Sequence, residues 1–266
     1  MSQTKKCVRT FLPFLFLISC YLTTSAQHPV YKIDLNQTGR TDAEVNEIGY
    51  TSWTLASNVV DTATLSLSGG VTVKLIRKGP YGDKLSSNWY KAGIQTPYFA
   101  RLVCDGVRVN NGNSGAQIEM RISGLPTGRH SILTYHNNVD NATTGPFAPI
   151  DVYLDGVQKY DNLALSIRET VTANVPVAYM YADAVAGQDV VAWYVADTTT
   201  GVLIRNFMIN GIEINTGNPL YQAKTPIPAN GDEHVDGDNG SLNLGWTNAS
   251  NAVASHVYVG NDSAMV

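Results

Sequence analysis

Two stretches of the chain gather the side-chain types that hold a sugar. Tyr135-His136-Asn137-Asn138-Val139-Asp140 offers a ring face beside planar polar groups and a carboxylate. It leaves the apolar run Ser131-Ile132-Leu133-Thr134 and enters what reads as a long loop reaching Pro149. Asn88-Trp89-Tyr90-Lys91, followed by Tyr98 and Arg101, places aromatic and cationic groups in a Gly-, Ser- and Pro-rich region. Aromatic faces meet the C–H surfaces of a sugar, and amides, carboxylates and guanidinium groups meet its hydroxyls, most often from loops. Trp89, Tyr90, Tyr98, Arg101, Tyr135, His136, Asn137, Asn138 and Asp140 are therefore the candidate contact residues. The competing reading makes the first stretch an ordinary solvated loop and Trp89 a cap on the core.

Other chemistry is thinly represented. Asp232, Glu233, Asp236, Asp238 and Asn239 form an acidic loop that would attract a structural calcium ion, but the spacing is not that of an EF-hand. A solvated linker is the simpler reading, and no cofactor is expected. His28, His130, His136, His234 and His256 show no paired zinc spacing. No GxSxG, P-loop or GxGxxG occurs. Asp151 and Asp155 share the polar face of one strand and read as surface charge. Cys104, in Arg101-Leu102-Val103-Cys104, reads as a small buried hydrophobe.

The first residues address the chain. Lys5, Lys6 and Arg9 precede an apolar run from Phe11 to Leu22, and Thr24 and Ala26 supply small residues before Gln27. This is the pattern of a cleaved secretory signal, and the run is too short to span a bilayer. Two processing routes stay open: cleavage after Ala26, or lipidation at Cys20 within Leu17-Ile18-Ser19-Cys20. Cleavage after Ala26 would leave 15 cations against 22 anions, and Cys104 as the one remaining cysteine. An acidic chain is a poor partner for nucleic acid. It is expected to work as a monomer held together by its core rather than by disulfides.

These residues need a scaffold, and the patterns that build one are β patterns. The chain has 266 residues, 44 % hydrophobic and 15 % charged, with 23 Gly and 14 Tyr. Asp105-Gly106, Asp155-Gly156 and Asn210-Gly211 each lie between apolar runs and predict tight hairpins. Ser68-Gly69-Gly70 predicts a fourth. Ile118, Met120 and Ile122 alternate with Gln117, Glu119 and Arg121, as in a half-buried strand. Val190–Val195 is apolar on both faces and reads as central. Trp53 and Trp193 read as core residues. No window carries a long helical period, so an antiparallel β-sandwich or jelly roll is expected. Pro226 and Pro228 mark a boundary. Beyond them Leu242–Trp246 and His256–Gly260 read as strands of a domain that the chain opens and does not complete.

Three segments resemble malectin-like and other galactose-binding-like modules. They are Tyr31–Leu35 with Gly49–Trp53, Pro149–Gly156, and Val202–Ile214. The tail (Pro228–Gly231, Leu242–Trp246 and Ala254–Gly260) is similar to the first strands of a fibronectin type III-like domain, with Trp246 as its core Trp. The pairing resembles the N-terminal part of secreted pectate-lyase-like proteins of Bacteroidetes. The resemblance implies a signal peptide at 1–26, a carbohydrate-binding β-sandwich at 28–217, a linker at 218–230 and a truncated fibronectin-like segment at 231–266. It implies an accessory module for polysaccharide or oligosaccharide without catalysis of its own. A structural spacer or adhesion module, and an enzyme with an unrecognised site, are the competing readings.

Overall fold

The computed structural model describes residues 28–56, 58–79, 84–90, 101–109, 115–139, 146–198, 204–228, 235, 240–249, 252–255 and 257. The signal-like N-terminus, Cys20, Lys91, Tyr98, Asp140, His256 and the acidic loop residues Asp232, Glu233, Asp236, Asp238 and Asn239 lie outside them.

The fold is all-β, a sandwich of two sheets. The first has five strands in the order β13 (Val177–Ala184), β8 (Gly128–Tyr135), β15 (Gly211–Ile214), β1 (Tyr31–Gln37) and β2 (Thr51–Leu55). The second has six, in the order β11 (Val157–Leu163), β10 (Ile150–Leu154), β14 (Val190–Ala196), β7 (Gln117–Ser123), β4 (Thr72–Lys78) and β3 (Thr62–Ser66). The six-stranded sheet is antiparallel throughout. The five-stranded sheet has one parallel pair, β1 with β2. A ribbon of β5 (Leu85–Trp89) and β6 (Asp105–Val109) and a short parallel pair, β9 (Asn137–Asn138) with β12 (Ser166–Ile167), complete the body.

Period two builds this core. Ile118, Met120 and Ile122 face inward from β7, while Ile33 and Leu35 come from β1, Ile132 from β8 and Ile212 and Ile214 from β15. Tyr194 and Phe207 are the largest fully buried side chains. Each such residue stabilises by about 2 kcal/mol on leaving water.

The hairpin expectations divide. Asp155-Gly156 turns between β10 and β11 with both residues at positive φ, and Gly69 and Gly70 turn between β3 and β4. Asp105-Gly106 and Asn210-Gly211 do not form hairpins. Both pairs sit where backbones approach closely. A Cβ on Gly106 would lie 2.6 Å from the Ile209 carbonyl oxygen, and one on Gly211 would lie 2.4 Å from Leu102. There glycine answers a packing demand rather than a turn.

Two tryptophan expectations are also corrected. Trp53 is in the core, but Trp193 is 40 % exposed on the outer face of β14, because Ala192 and Tyr194 take the inward positions. Trp246 is 38 % exposed on β17 (Gly245–Thr247) and is not a core residue of the described structure. β17 pairs with β16 (Lys224–Ile227), the segment whose prolines read as linker.

Candidate functional site

The stretch Tyr135–Asn138 does not form an open loop. Tyr135 ends β8, and His136, Asn137 and Asn138 are fully buried. Their polar groups are spent inward. His136 Nδ1–H donates to the Met208 carbonyl at 3.0 Å, so Nε2 accepts from the Thr134 hydroxyl at 2.9 Å. Burial favours the neutral ring and lowers its pKa to about 4. The Asn137 side chain donates to the carbonyls of Val103 and Glu169 and accepts from Ser166 and the Glu169 N–H. Asn138 reaches the Asn206 carbonyl. Asn210 joins this lattice: its Oδ1 accepts the Asn137 N–H at 2.6 Å, and its Nδ2 donates to the Asp105 and Asn137 carbonyls. The hydrogen-bonding residue types were legible in the sequence. The groups they bond, far away in the chain, were not.

A second buried polar group lies beside it. Asp34 Oδ2 accepts the Glu47 N–H at 2.6 Å, and Asp105 Oδ2 accepts the Gln37 N–H at 2.8 Å. Burial pushes the Asp34 carboxyl up to about 8, and burial together with Asp34 raises Asp105 well above the carboxylate range. Burial, then Asp105, raises the neighbouring Cys104 thiol, which stays protonated. Among the described residues no trio of His, Cys, Asp or Glu is placed to hold a metal ion.

Trp89, Tyr90 and Arg101 do come together at one end of the sandwich. Trp89 ends β5, opposite Asp105 on β6. The Tyr90 N–H donates to the Cys104 carbonyl at 2.7 Å, and the Cys104 N–H returns to Arg101. Both rings are half-buried, and each carries a guanidinium on a face: Arg40 lies 3.5 Å from the Trp89 ring centre and Arg168 4.2 Å from that of Tyr90. Cation–π contact holds the rings in place and takes one face of each.

A large cleft lies elsewhere, over the outer face of the five-stranded sheet. The β register sets Tyr179, Leu133, Glu213 and Lys32 in one row across β13, β8, β15 and β1. Over this row pack Leu102 and Val103 from one turn and Val175 from another. The cleft between the sheet and the segment 219–228 has a volume of about 1000 Å³. Tyr135, Tyr160, Tyr179, Asn174 and Gln222 line it. It adjoins a hollow of about 440 Å³ holding Lys32, Tyr50 and Glu213, and the two share Tyr135, Pro219 and Gln222.

Glu213 is the carboxylate of this surface. Its Oε1 accepts from the Tyr135 hydroxyl at 2.8 Å and from the Tyr50 hydroxyl. Burial first, and then the neighbouring phenol and carboxylate, raises the Tyr50 pKa, so both hydroxyls remain donors. Lys32 lies over the Tyr50 ring at 5.5 Å. At the far end Tyr179 meets Tyr181 edge to face, and Arg129 stacks on Tyr181 at 4.0 Å. Hydrolysis of a glycosidic bond ordinarily takes two facing carboxylates, and Glu213 is the single one among the described residues lining the cleft and its adjoining hollow. What the surface offers is ring faces beside planar polar groups. The alternation in Val177-Ala178-Tyr179-Met180-Tyr181-Ala182 is the sequence signal for this ridge, since Ala178, Met180 and Ala182 take the inward positions and leave the tyrosines outside.

No family model matches the sequence, and no curated protein matches it. Among solved structures the chain is similar to a native family 35 carbohydrate binding module from Clostridium thermocellum. The TM-score is 0.30 and the identity 9 %, over 58 % of this chain and 99 % of that one. It is similar to the Agl-KA catalytic domain at a TM-score of 0.25 and 9 % identity, over 65 % of this chain and 30 % of that one. It is similar to the GH31 alpha-xylosidase from Xanthomonas citri at 0.21 and 10 %, over 72 % and 25 %. The chain thus spans well under half of the two enzyme chains. No helix among the described residues is long and apolar enough to cross a membrane.

Proposed function

We propose that this chain is a non-catalytic carbohydrate-binding module whose ligand lies in the tyrosine-lined cleft over the five-stranded sheet. One observation carries the reading: Tyr135, Tyr160 and Tyr179 converge with Asn174 and Gln222 on one concave surface that continues to Glu213. Stacking holds sugar C–H faces, and the amides and the carboxylate orient hydroxyls. Each hydrogen bond made in competition with water adds about 1 kcal/mol. A handful of such contacts gives dissociation constants in the roughly micromolar to millimolar range. That affinity is useful to a tethered partner, which gains local concentration. Trp89, Tyr90 and Arg101 form a second proposed contact surface at the end of the sandwich, on the ring faces that Arg40 and Arg168 leave open.

The finer reading belongs to the same proposal. The chain is exported after loss of 1–26, its sandwich spans 28–217, and 231–266 is a fibronectin type III-like segment after the linker 218–230. Its partner is a pectate-lyase-like polysaccharide-degrading domain. The support is the residue pattern of those segments.

The test is affinity electrophoresis of the secreted protein in gels carrying plant and host polysaccharides, pectins included, with Tyr179→Ala and Trp89→Ala alongside. Tyr179→Ala keeps the main-chain bonds of β13, so the fold should survive by circular dichroism. Retardation by a glycan that is lost in Tyr179→Ala supports the cleft. Loss in Trp89→Ala alone moves the site to the end of the sandwich. No retardation by any glycan favours a spacer, and release of reducing or unsaturated ends by this chain means an enzyme.

A further inference from the structure

The six-stranded sheet turns a broad face to solvent, opposite the side that packs on the other sheet. Its register aligns one residue from every strand in a single row: Gln158, Tyr153, Trp193, Glu119, Ile76 and Thr62. At about 4.8 Å per strand the row is about 24 Å long. Tyr153 and Trp193 sit side by side at its centre, with ring centres 5.7 Å apart and planes inclined by 41°. A tryptophan 40 % exposed in the middle of a central strand loses packing that an inward position would have supplied.

The charge around this row is largely paired and carries no net cation. Glu119 pairs with Lys78 at 3.4 Å on one side and with Arg121 at 2.5 Å on the other, and Arg121 reaches Asp189 at 3.7 Å. Two cations and two anions thereby neutralise one another. Lys74, Asp151 and Asp155, on the flanking rows, add one cation and two anions. An acidic polymer therefore finds no net cation here.

We infer that this face is a second glycan site, a track for one neutral, extended polysaccharide chain crossing the strands over Tyr153 and Trp193. It shares with the proposal above the premise that the chain binds glycans, and it uses none of the same residues. The rings stack on successive sugar faces, and Gln158 and Thr62 meet hydroxyls along the row.

The experiment compares the secreted protein with Trp193→Ala, Tyr153→Ala, Trp193→Phe and Tyr179→Ala. The probes are soluble linear β-glucan, xylan and galactomannan, with polygalacturonate as the acidic counterpart. Affinity for one neutral polymer should fall about tenfold in Trp193→Ala and in Tyr153→Ala. It should be largely restored in Trp193→Phe, while Tyr179→Ala reports on the cleft separately. A Trp193→Ala protein that binds every neutral polymer as wild type does overturns the track. So does tighter binding of polygalacturonate through Trp193. Loss in Tyr179→Ala alone leaves the cleft standing and removes the track, and loss in Trp193→Ala alone supports the track and shows that this polymer does not use the cleft. Sedimentation that shows a self-association abolished by Trp193→Ala, with glycan binding unaltered, assigns the face to a second copy and also overturns the proposal.

Discussion

The hydroxyl of Tyr160 makes two hydrogen bonds to one residue: it accepts the main-chain N–H of Tyr179 at 2.8 Å and donates to its carbonyl at 2.9 Å. Tyr160 lies on β11, the edge of one sheet, and Tyr179 on β13, the edge of the other. One phenol thus joins the two edges and occupies backbone groups that an open edge would offer to another chain. Tyr160→Phe should lower stability by about 1–2 kcal/mol, because both backbone groups lose their partner. In a domain of this size that is a fall of several degrees in the thermal midpoint. An unchanged midpoint would mean that water replaces the phenol at no cost.

Asp34 gives a pH signature. Its carboxyl holds its proton up to about 8 in the folded state and loses it near 3.8 when unfolded. Between those values the folded state binds more protons, so stability falls as pH rises through the interval and levels off above it. The thermal midpoint should therefore decline from pH 6.5 to pH 8. Asp34→Asn should flatten that decline, because its side chain is never charged. A variant with the wild-type slope would assign the titration to another group, Asp105 being the nearest.

His136 acts in the opposite sense and in a lower window. Its folded value of about 4 lies below the ordinary 6.5. The stability tied to the neutral ring is complete above 6.5 and is lost as pH falls towards 4, by about 3 kcal/mol at full extent. NMR titration of the ring resonances should show no protonation at pH 5.5 in the folded protein. A midpoint near 6.5 would mean that the ring is solvated.

Gly106 has no room for a side chain. A Cβ would meet the Ile209 carbonyl oxygen at 2.6 Å, and that oxygen accepts the Val107 N–H. Gly106→Ala must push β6 away from residues 209 and 210, at a cost of about 1–3 kcal/mol or more. Because Asn210 ties this point to Asn137, urea unfolding should show a lower midpoint, and amide exchange should quicken in both strands. Gly156→Ala is the comparison without a clash: a Cβ there touches nothing, and the cost is the backbone strain of a side chain at a φ of 79°.

Period-two alternation and glycine pairs made the fold class readable. The strand Gln117–Ser123 shows its inward face in its spelling, because adjacent residues on a strand point to opposite sides. The turn at Asp155-Gly156 was readable for the same local reason: positive φ at two successive residues needs those residue types. Asp105-Gly106 and Asn210-Gly211 share the spelling and not the outcome, since the approach of Gly106 to Ile209 spans a hundred residues of chain. Tertiary structure likewise decided the candidate sites. Tyr135 to Asn138 look like a sugar-binding loop until the carbonyls of Val103, Glu169 and Met208 arrive to take their hydrogen bonds. Tyr160, Tyr179 and Glu213 look unremarkable until three strands bring them to one cleft and the hollow beside it. Local spelling fixes which groups a residue offers, and only the packing of distant strands fixes whether those groups face the protein or the solvent.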